Sequence, residues 1–168
     1  REISMSVDAG EFLGILGPSG SGKSSLLYLL SGLKTPTSGA VQYEGRDLAK
    51  LTDEERARLR LREFGFVFQQ PYLLGYLNAR ENAAIADSGR AAAEQADDLL
   101  QRLGLGDKGK RLPHELSGGE RQRVCVARAL MGSPRAIFAD EPTGNLDTKT
   151  GEIVLSTFQK LNREAGHT

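Results

Sequence analysis

The chain has no excess of either charge: of its 168 residues, 22 are Lys or Arg and 22 are Asp or Glu. A balanced total gives no general attraction to a polyanion, so nucleic acid is not an expected partner, although a local basic patch can hide inside a neutral sum. Cysteine is nearly missing. The single Cys125 excludes an internal disulfide framework and a cysteine-built zinc site, which suits a reducing compartment. Within RVCVARAL it reads as a small core side chain. No apolar run approaches the roughly 18–20 residues that span a bilayer, and the first residues lack the charged-then-apolar pattern of an export signal. Polar tails are missing as well: the sequence opens at Arg1 on a strand-like alternation and stops at Thr168 just after a helix, which suggests a domain cut at both ends. The composition is that of an ordinary globular chain long enough for one domain with a real core.

What is present centres on Gly17 to Ser24, GPSGSGKS, which fits the phosphate-binding pattern G-x-x-x-x-G-K-[ST] at every fixed position. The apolar run Glu11–Leu16 precedes it and the apolar SSLLYLL, Ser24–Leu30, follows, so strand, glycine loop and buried helix stand in the required order. Glycines 17, 20 and 22 let consecutive N–H groups turn toward one anion, at the positive end of the helix dipole. Lys23 would reach the β- and γ-phosphates and Ser24 would ligate magnesium. A plain strand-to-helix turn needs neither the lysine nor the hydroxyl.

Taken in order, Ile3–Val7 and Glu11–Leu16 read as two strands joined by Asp8-Ala9-Gly10. Ala40–Tyr43 is a short strand broken by Glu44-Gly45, and Thr52 with Glu55 forms a capping box that opens a helix through Arg62. Phe64–Phe68 is strand-like and ends at Gln69, a polar side chain aimed at the crevice into which the phosphate loop also opens. The apolar loop Pro71–Leu77, PYLLGYL, fits either a groove for a partner or local core packing. Asn78–Leu103 is alanine-rich and helical, with Asn78 and Glu81 as a cap pair.

Leu116–Glu120, LSGGE, opens a helix running to about Met131, with an apolar stripe near Val124, Ala127 and Leu130. Ser117 and Glu120 have capping-box spacing, but that leaves Gly118 and Gly119 unexplained, since each costs on the order of 1 kcal/mol against alanine in a helix. A close backbone approach would offset them. Arg135–Asp140 is an apolar strand ending in a carboxylate; with Ser24, Asp140 suffices for a hard cation that keeps several waters. Glu141 beside it can orient the attacking water. PTGNLD is a turn, and Asp147 caps a last helix, Thr148–Glu164, whose buried face is Val154, Phe158 and Leu161.

In this order GPSGSGKS, Gln69 after FGFVF, LSGGE, AIFADEP and NLD resemble the ATP-binding-cassette ATPase family from Ile3 to about Thr168. GFVFQQPYLL, LSGGERQRVCVARAL and DEPTGNLD look most like the branch that serves lipoprotein release, macrolide-type export and the related cell-division complex. The resemblance implies a partial but single nucleotide-binding domain over residues 1–168. It would be an α/β P-loop NTPase core with a parallel-centred sheet, an antiparallel side sheet from the first strands, and a small helical subdomain over 78–116. It implies that Gly17, Pro18, Ser19, Gly20, Ser21, Gly22, Lys23, Ser24 and Ser25 cradle ATP, that Ser24, Gln69 and Asp140 surround Mg2+, and that Glu141 is the general base. Ser117 and Gly119 would act in trans across a head-to-tail homodimer, with Asp147 at its seam. Transmembrane permease subunits would be the other partners, placing the chain peripherally on the cytoplasmic face of the cell membrane.

The sequence departs from the family in three places. The adenine-stacking aromatic belongs upstream of Arg1 and the switch histidine beyond Thr168, after a further apolar strand. His167, in the exit turn AGHT, is not that histidine, and His114 reads as an exposed loop residue. The insertion between Glu81 and Pro113 is shorter than is usual in the branch. The alternative function, a DNA-repair or chromosome-organising ATPase, would place a long coiled coil or zinc insertion where only a short helical piece separates Gln69 from Ser117.

Overall fold

The computed structural model describes residues 3–168 apart from 88 and 145, so Arg1, Glu2, Ser88 and the Asn145 of the NLD stretch lie outside the described residues. Its centre is a parallel pair, β3 (Phe64–Val67) and β4 (Ala136–Ala139), with Phe64 opposite Ala136 and Val67 opposite Ala139. Adjacent parallel strands need a long crossover. Here it contains α3 (Ala79–Ala84), α4 (Ala92–Arg102) and α5 (Gly118–Leu130). Helix α5 lies hard against the sheet: a Cβ added at Gly65 would overlap the carbonyl oxygen of Ala129, so only glycine permits this approach. Val124, Cys125, Val126 and Ala127 of α5 are buried in one core with Val67, Ala83, Ala96 and Leu100. Cys125 is thus a core side chain, as its sequence setting suggests.

Local end signals are realised. Thr52 Oγ1 accepts from the Glu55 N–H at 3.2 Å while Glu55 Oε2 accepts from the Thr52 N–H at 2.7 Å, opening α2 (Asp53–Glu63). Asn78 and Glu81 do the same for α3, and Ser117 and Glu120 for α5. Asp147 caps α6 (Thr148–Ala165) by accepting from the Thr150 N–H at 3.1 Å, and Val154 and Phe158 are buried with Leu161 partly so. The alanine-rich stretch forms two helices, α3 and α4, and between them Asp87 Oδ1 accepts from the Gly89 N–H at 2.8 Å.

Three expectations are corrected. Ile3–Val7 and Glu11–Leu16 form no ladder among the described residues. The Asp8-Ala9-Gly10 turn is made, with the Glu11 N–H on Asp8 O at 3.1 Å, but Ile3, Met5, Phe12, Leu13 and Leu16 remain exposed. Alternation marks a face but supplies no partner, and the free edge of β4 is met by Thr168, whose N–H reaches Arg135 O at 3.0 Å and whose carbonyl accepts from Ile137 at 2.8 Å. Consequently the antiparallel pair is not made by the first strands. It is β1 (Gln42–Tyr43) with β2 (Arg46–Asp47), closed by Glu44 at φ 48° and Gly45 at φ 75°, the two positive values a tight hairpin turn requires. Finally, α1 (Lys23–Leu30) has no fully buried residue, because a two-stranded sheet is too narrow to cover it.

Candidate functional site

Parallel pairing sets the geometry. With Val67 opposite Ala139 and the Asp140 N–H on Val67 O at 2.8 Å, the ends of β3 and β4 release Gln69, Asp140 and Glu141 at one level. Helix α1 brings its first turn to the same place. Ser24 Oγ donates to Asp140 Oδ1 at 2.8 Å, and Lys23 Nζ lies 3.9 Å from Glu141 Oε1. A Cβ at Gly144 would lie 2.9 Å from Gln69 Nε2 and 3.4 Å from Glu141 Oε2, so amide, carboxylate and turn converge on one point.

The loop that precedes α1 is exposed and tightly wound. Gly20 and Gly22 take φ 77° and 94°, and the Ser21 N–H reaches Pro18 O at 3.2 Å. Lys23 Nζ donates to Gly17 O and Pro18 O at 3.0 Å each, so the ammonium is held by its own loop at the mouth where phosphate oxygens would compete for it. Ser19 and Ser25 are exposed at the edge of this loop and helix.

The oxygen set fits magnesium. Neighbouring ligands of an octahedral ion with bonds of about 2.0–2.1 Å lie about 2.9 Å apart, and the Ser24–Asp140 oxygens are 2.8 Å apart. Among the described residues no group of three His, Cys, Asp or Glu side chains could hold a metal alone.

Glu141 sits at φ 45°, a left-handed conformation that non-glycine residues adopt uncommonly. The Gly144 N–H bonds to its carbonyl at 3.0 Å and fixes the turn.

Ser117 and Gly119 do not join this cluster. Ser117 Oγ accepts from the Glu120 N–H at 3.2 Å, and a Cβ at Gly119 would overlap the Thr150 methyl of α6, which accounts for that glycine within the chain. A Cβ at Gly118 would have open space about it, with Arg121 Nη2 at 4.0 Å the one side-chain atom in reach. Asp147 is an exposed helix cap, with its carboxyl held below the usual range mainly by the Thr150 side chain and N–H. His114 is exposed, and His167 Nδ1 lies 2.5 Å from Pro134 O, at the opposite end of β4 from Asp140.

Three residues escape the sequence reading. Tyr28 Oη donates to Asp140 Oδ2 at 3.1 Å, and that bond, with burial and the carboxylate charge, raises the phenol above its ordinary value. Its signal was its i+4 spacing from Ser24 on α1. From α5, Gln122 Nε2 donates to Phe68 O at 3.0 Å and Arg128 donates to Pro71 O at 2.6 Å and Tyr72 O at 3.0 Å, clasping the Gln69 loop at both ends. These are tertiary bonds with no sequence spacing to announce them.

The loop Pro71–Leu77 divides its apolar residues. Leu73 packs against the core, while Tyr72 and Tyr76 are 70% and 78% exposed. Buried Asn82 pins the backbone, accepting from the Leu74 N–H at 2.7 Å and donating to Leu74 O and Leu77 O.

The ABC transporter family model matches residues 1–144. The chain is 47% identical over its whole length to the macrolide export ATP-binding/permease protein MacB of Neisseria meningitidis serogroup A, covering 27% of that protein. It is 49% identical over 96% of its length to the lipoprotein-releasing system ATP-binding protein LolD of Aquifex aeolicus, covering 75% of that protein. A solved dimer of the ATP-binding cassette MJ0796 in a post-hydrolysis state with ADP and Pi superposes with a TM-score of 0.88 at 39% identity, covering 98% of this chain and 75% of that one. The chain therefore spans about a quarter of the MacB relative and three quarters of the LolD relative. A parallel strand pair flanked by helices, a glycine-rich loop facing an acidic pair, and these relationships agree: the chain belongs to the ABC transporter family.

Proposed function

We propose that this chain is the ATP-binding and ATP-hydrolysing part of a membrane transporter or related transmembrane complex, with Mg2+ as its cofactor. The observation that carries the reading is the meeting of Ser24 and Asp140 at 2.8 Å beside the Lys23–Glu141 pair. Ser24 and Asp140 would hold the cation, which supplies charge neutralisation on the transferred phosphate when bound. Lys23 would exchange two loop carbonyls for β- and γ-phosphate oxygens. Gln69 would position water, and Glu141 would take its proton as it attacks the γ-phosphorus and ADP departs.

A head-to-tail homodimer fits the site's composition. Ser117 and open Gly118 lie outside the chain's own cluster, and a second copy would supply Ser117 and Gly119 to it. Residues 78–116 serve as a helical subdomain, and the pinned loop with Tyr72 and Tyr76 outward serves as the contact for a transmembrane permease. No described helix is long and apolar enough to cross a membrane; the transport names of the MacB and LolD relatives support a place at the cytoplasmic face of the cell membrane, beside the permease. The DNA-repair alternative is disfavoured: two short helices stand where its coiled coil would be, and the MacB and LolD relatives carry transport names. Nucleotide titration tests the reading. In the full-length protein Lys23→Ala should lose most of its affinity, more for triphosphate than diphosphate; equal affinities would remove Lys23 from the site.

A further inference from the structure

Asp140 gives one carboxylate oxygen to each of two hydroxyls from the same helix: Ser24 Oγ on Oδ1 at 2.8 Å and Tyr28 Oη on Oδ2 at 3.1 Å. The two donors stand at i and i+4, on one face of α1. The phenol is itself anchored. Lys34 Nζ lies 5.6 Å from the ring centroid, and the Lys34 N–H bonds to Tyr28 O at 2.9 Å. Apolar contact does not explain the hydroxyl, because Leu26, Leu27, Leu29 and Leu30 already give α1 its aliphatic surface.

We propose that Tyr28 is a positioning residue that restricts Asp140 to one-oxygen coordination and thereby sets a preference for Mg2+ over Ca2+; this rests on the reading of Ser24 and Asp140 as metal ligands. A carboxylate whose second oxygen is held by a donor on the same helix is oriented to present Oδ1 to the cation, and turning to present both oxygens to one ion strains or breaks the Tyr28 bond. Mg2+ needs near-ideal octahedral geometry with short bonds and is served by one oxygen, whereas Ca2+ takes more ligands at longer distance and readily accepts a carboxylate through both oxygens. Removing the hydroxyl frees Oδ2, which helps the larger ion and loosens the geometry the smaller one requires.

The test is Tyr28→Phe, which keeps the ring, in the full-length protein. A fluorescent ATP analogue is titrated without divalent cation, with Mg2+ and with Ca2+, and the melting temperature is recorded alongside. The expected result is an unchanged cation-free affinity and melting temperature, with the Mg2+-to-Ca2+ ratio of apparent metal affinities lowered about tenfold, the scale of effects from residues that orient a ligand. An unchanged ratio in a cation-dependent protein overturns the assignment to Tyr28 alone. So does a lowered melting temperature with the ratio kept, which would make the tyrosine structural. A wild-type protein whose nucleotide affinity ignores both cations overturns the metal-ligand reading and this proposal with it.

Discussion

Glu141 holds a left-handed backbone at φ 45°, which costs on the order of 1–2 kcal/mol for a residue with a Cβ. The turn through Gly144 sustains it and, in doing so, brings the Gln69 amide beside the carboxylate. Gly144 is therefore a sensitive position: Gly144→Ala would press its methyl onto Gln69 Nε2, the end of a flexible side chain, rather than onto backbone. The expected outcome is a melting temperature near that of the wild type with ATP turnover lower by about ten- to a hundredfold, the scale of a misplaced catalytic group. A steady-state ATPase assay beside a thermal melt checks it, and unchanged turnover would free Gln69 from its assigned position. At this scale the sequence was most informative where chemistry needs a residue type, as at Lys23, Ser24 and Asp140. It was silent where a side chain acts through folding, as with Gln122 on Phe68 O and Arg128 on Pro71 O, 54 and 57 residues away in sequence.

Among the elements, helices α2, α3 and α5 begin at capping boxes that can be read directly from Thr52/Glu55, Asn78/Glu81 and Ser117/Glu120, because both bonds close within three residues. These caps carry a pH signature. The Glu120 carboxyl is held below its ordinary value chiefly by the Ser117 N–H, and Glu55 likewise by the Thr52 N–H. A carboxylate depressed on folding stabilises above its unfolded pKa, about 4.3, and loses that contribution as pH falls through the lower folded value. Glu120→Gln should therefore flatten the fall of melting temperature with acid below about pH 4.3; a limb as steep as the wild type's would show the cap charge to be silent. Strands behave differently. Nothing within Ile3–Val7 or Glu11–Leu16 names its neighbour, and these runs stay unladdered, whereas Phe64–Val67 and Ala136–Ala139 find one another across the α3–α5 crossover. Their union depends on Gly65. Gly65→Ala would drive a methyl into the Ala129 carbonyl and destabilise the chain by about 3 kcal/mol, the upper part of the usual overpacking range. Chemical denaturation would reveal it, and a midpoint equal to the wild type's would mean that α5 can withdraw from the sheet freely.

For the whole molecule, α5 links two surfaces. Its N-terminus presents Ser117 and Gly118, and its Gln122 and Arg128 hold the Gln69 loop, from which Tyr72 and Tyr76 project. Charged substitutions at Tyr72 or Tyr76 should leave the melting temperature and nucleotide affinity intact while abolishing stimulation by a transmembrane partner, because both rings already face outward. A drop in stability would instead return those rings to the core. The most direct measurement is Mg2+-dependent phosphate release by the full-length protein, wild type beside Glu141→Gln, with sedimentation in ATP. Turnover lower by about 10² to 10⁴, with ATP affinity kept and a dimer accumulating, is the predicted result; a Glu141→Gln variant that releases phosphate at the wild-type rate would contradict the assignment of the acidic pair and move the base elsewhere.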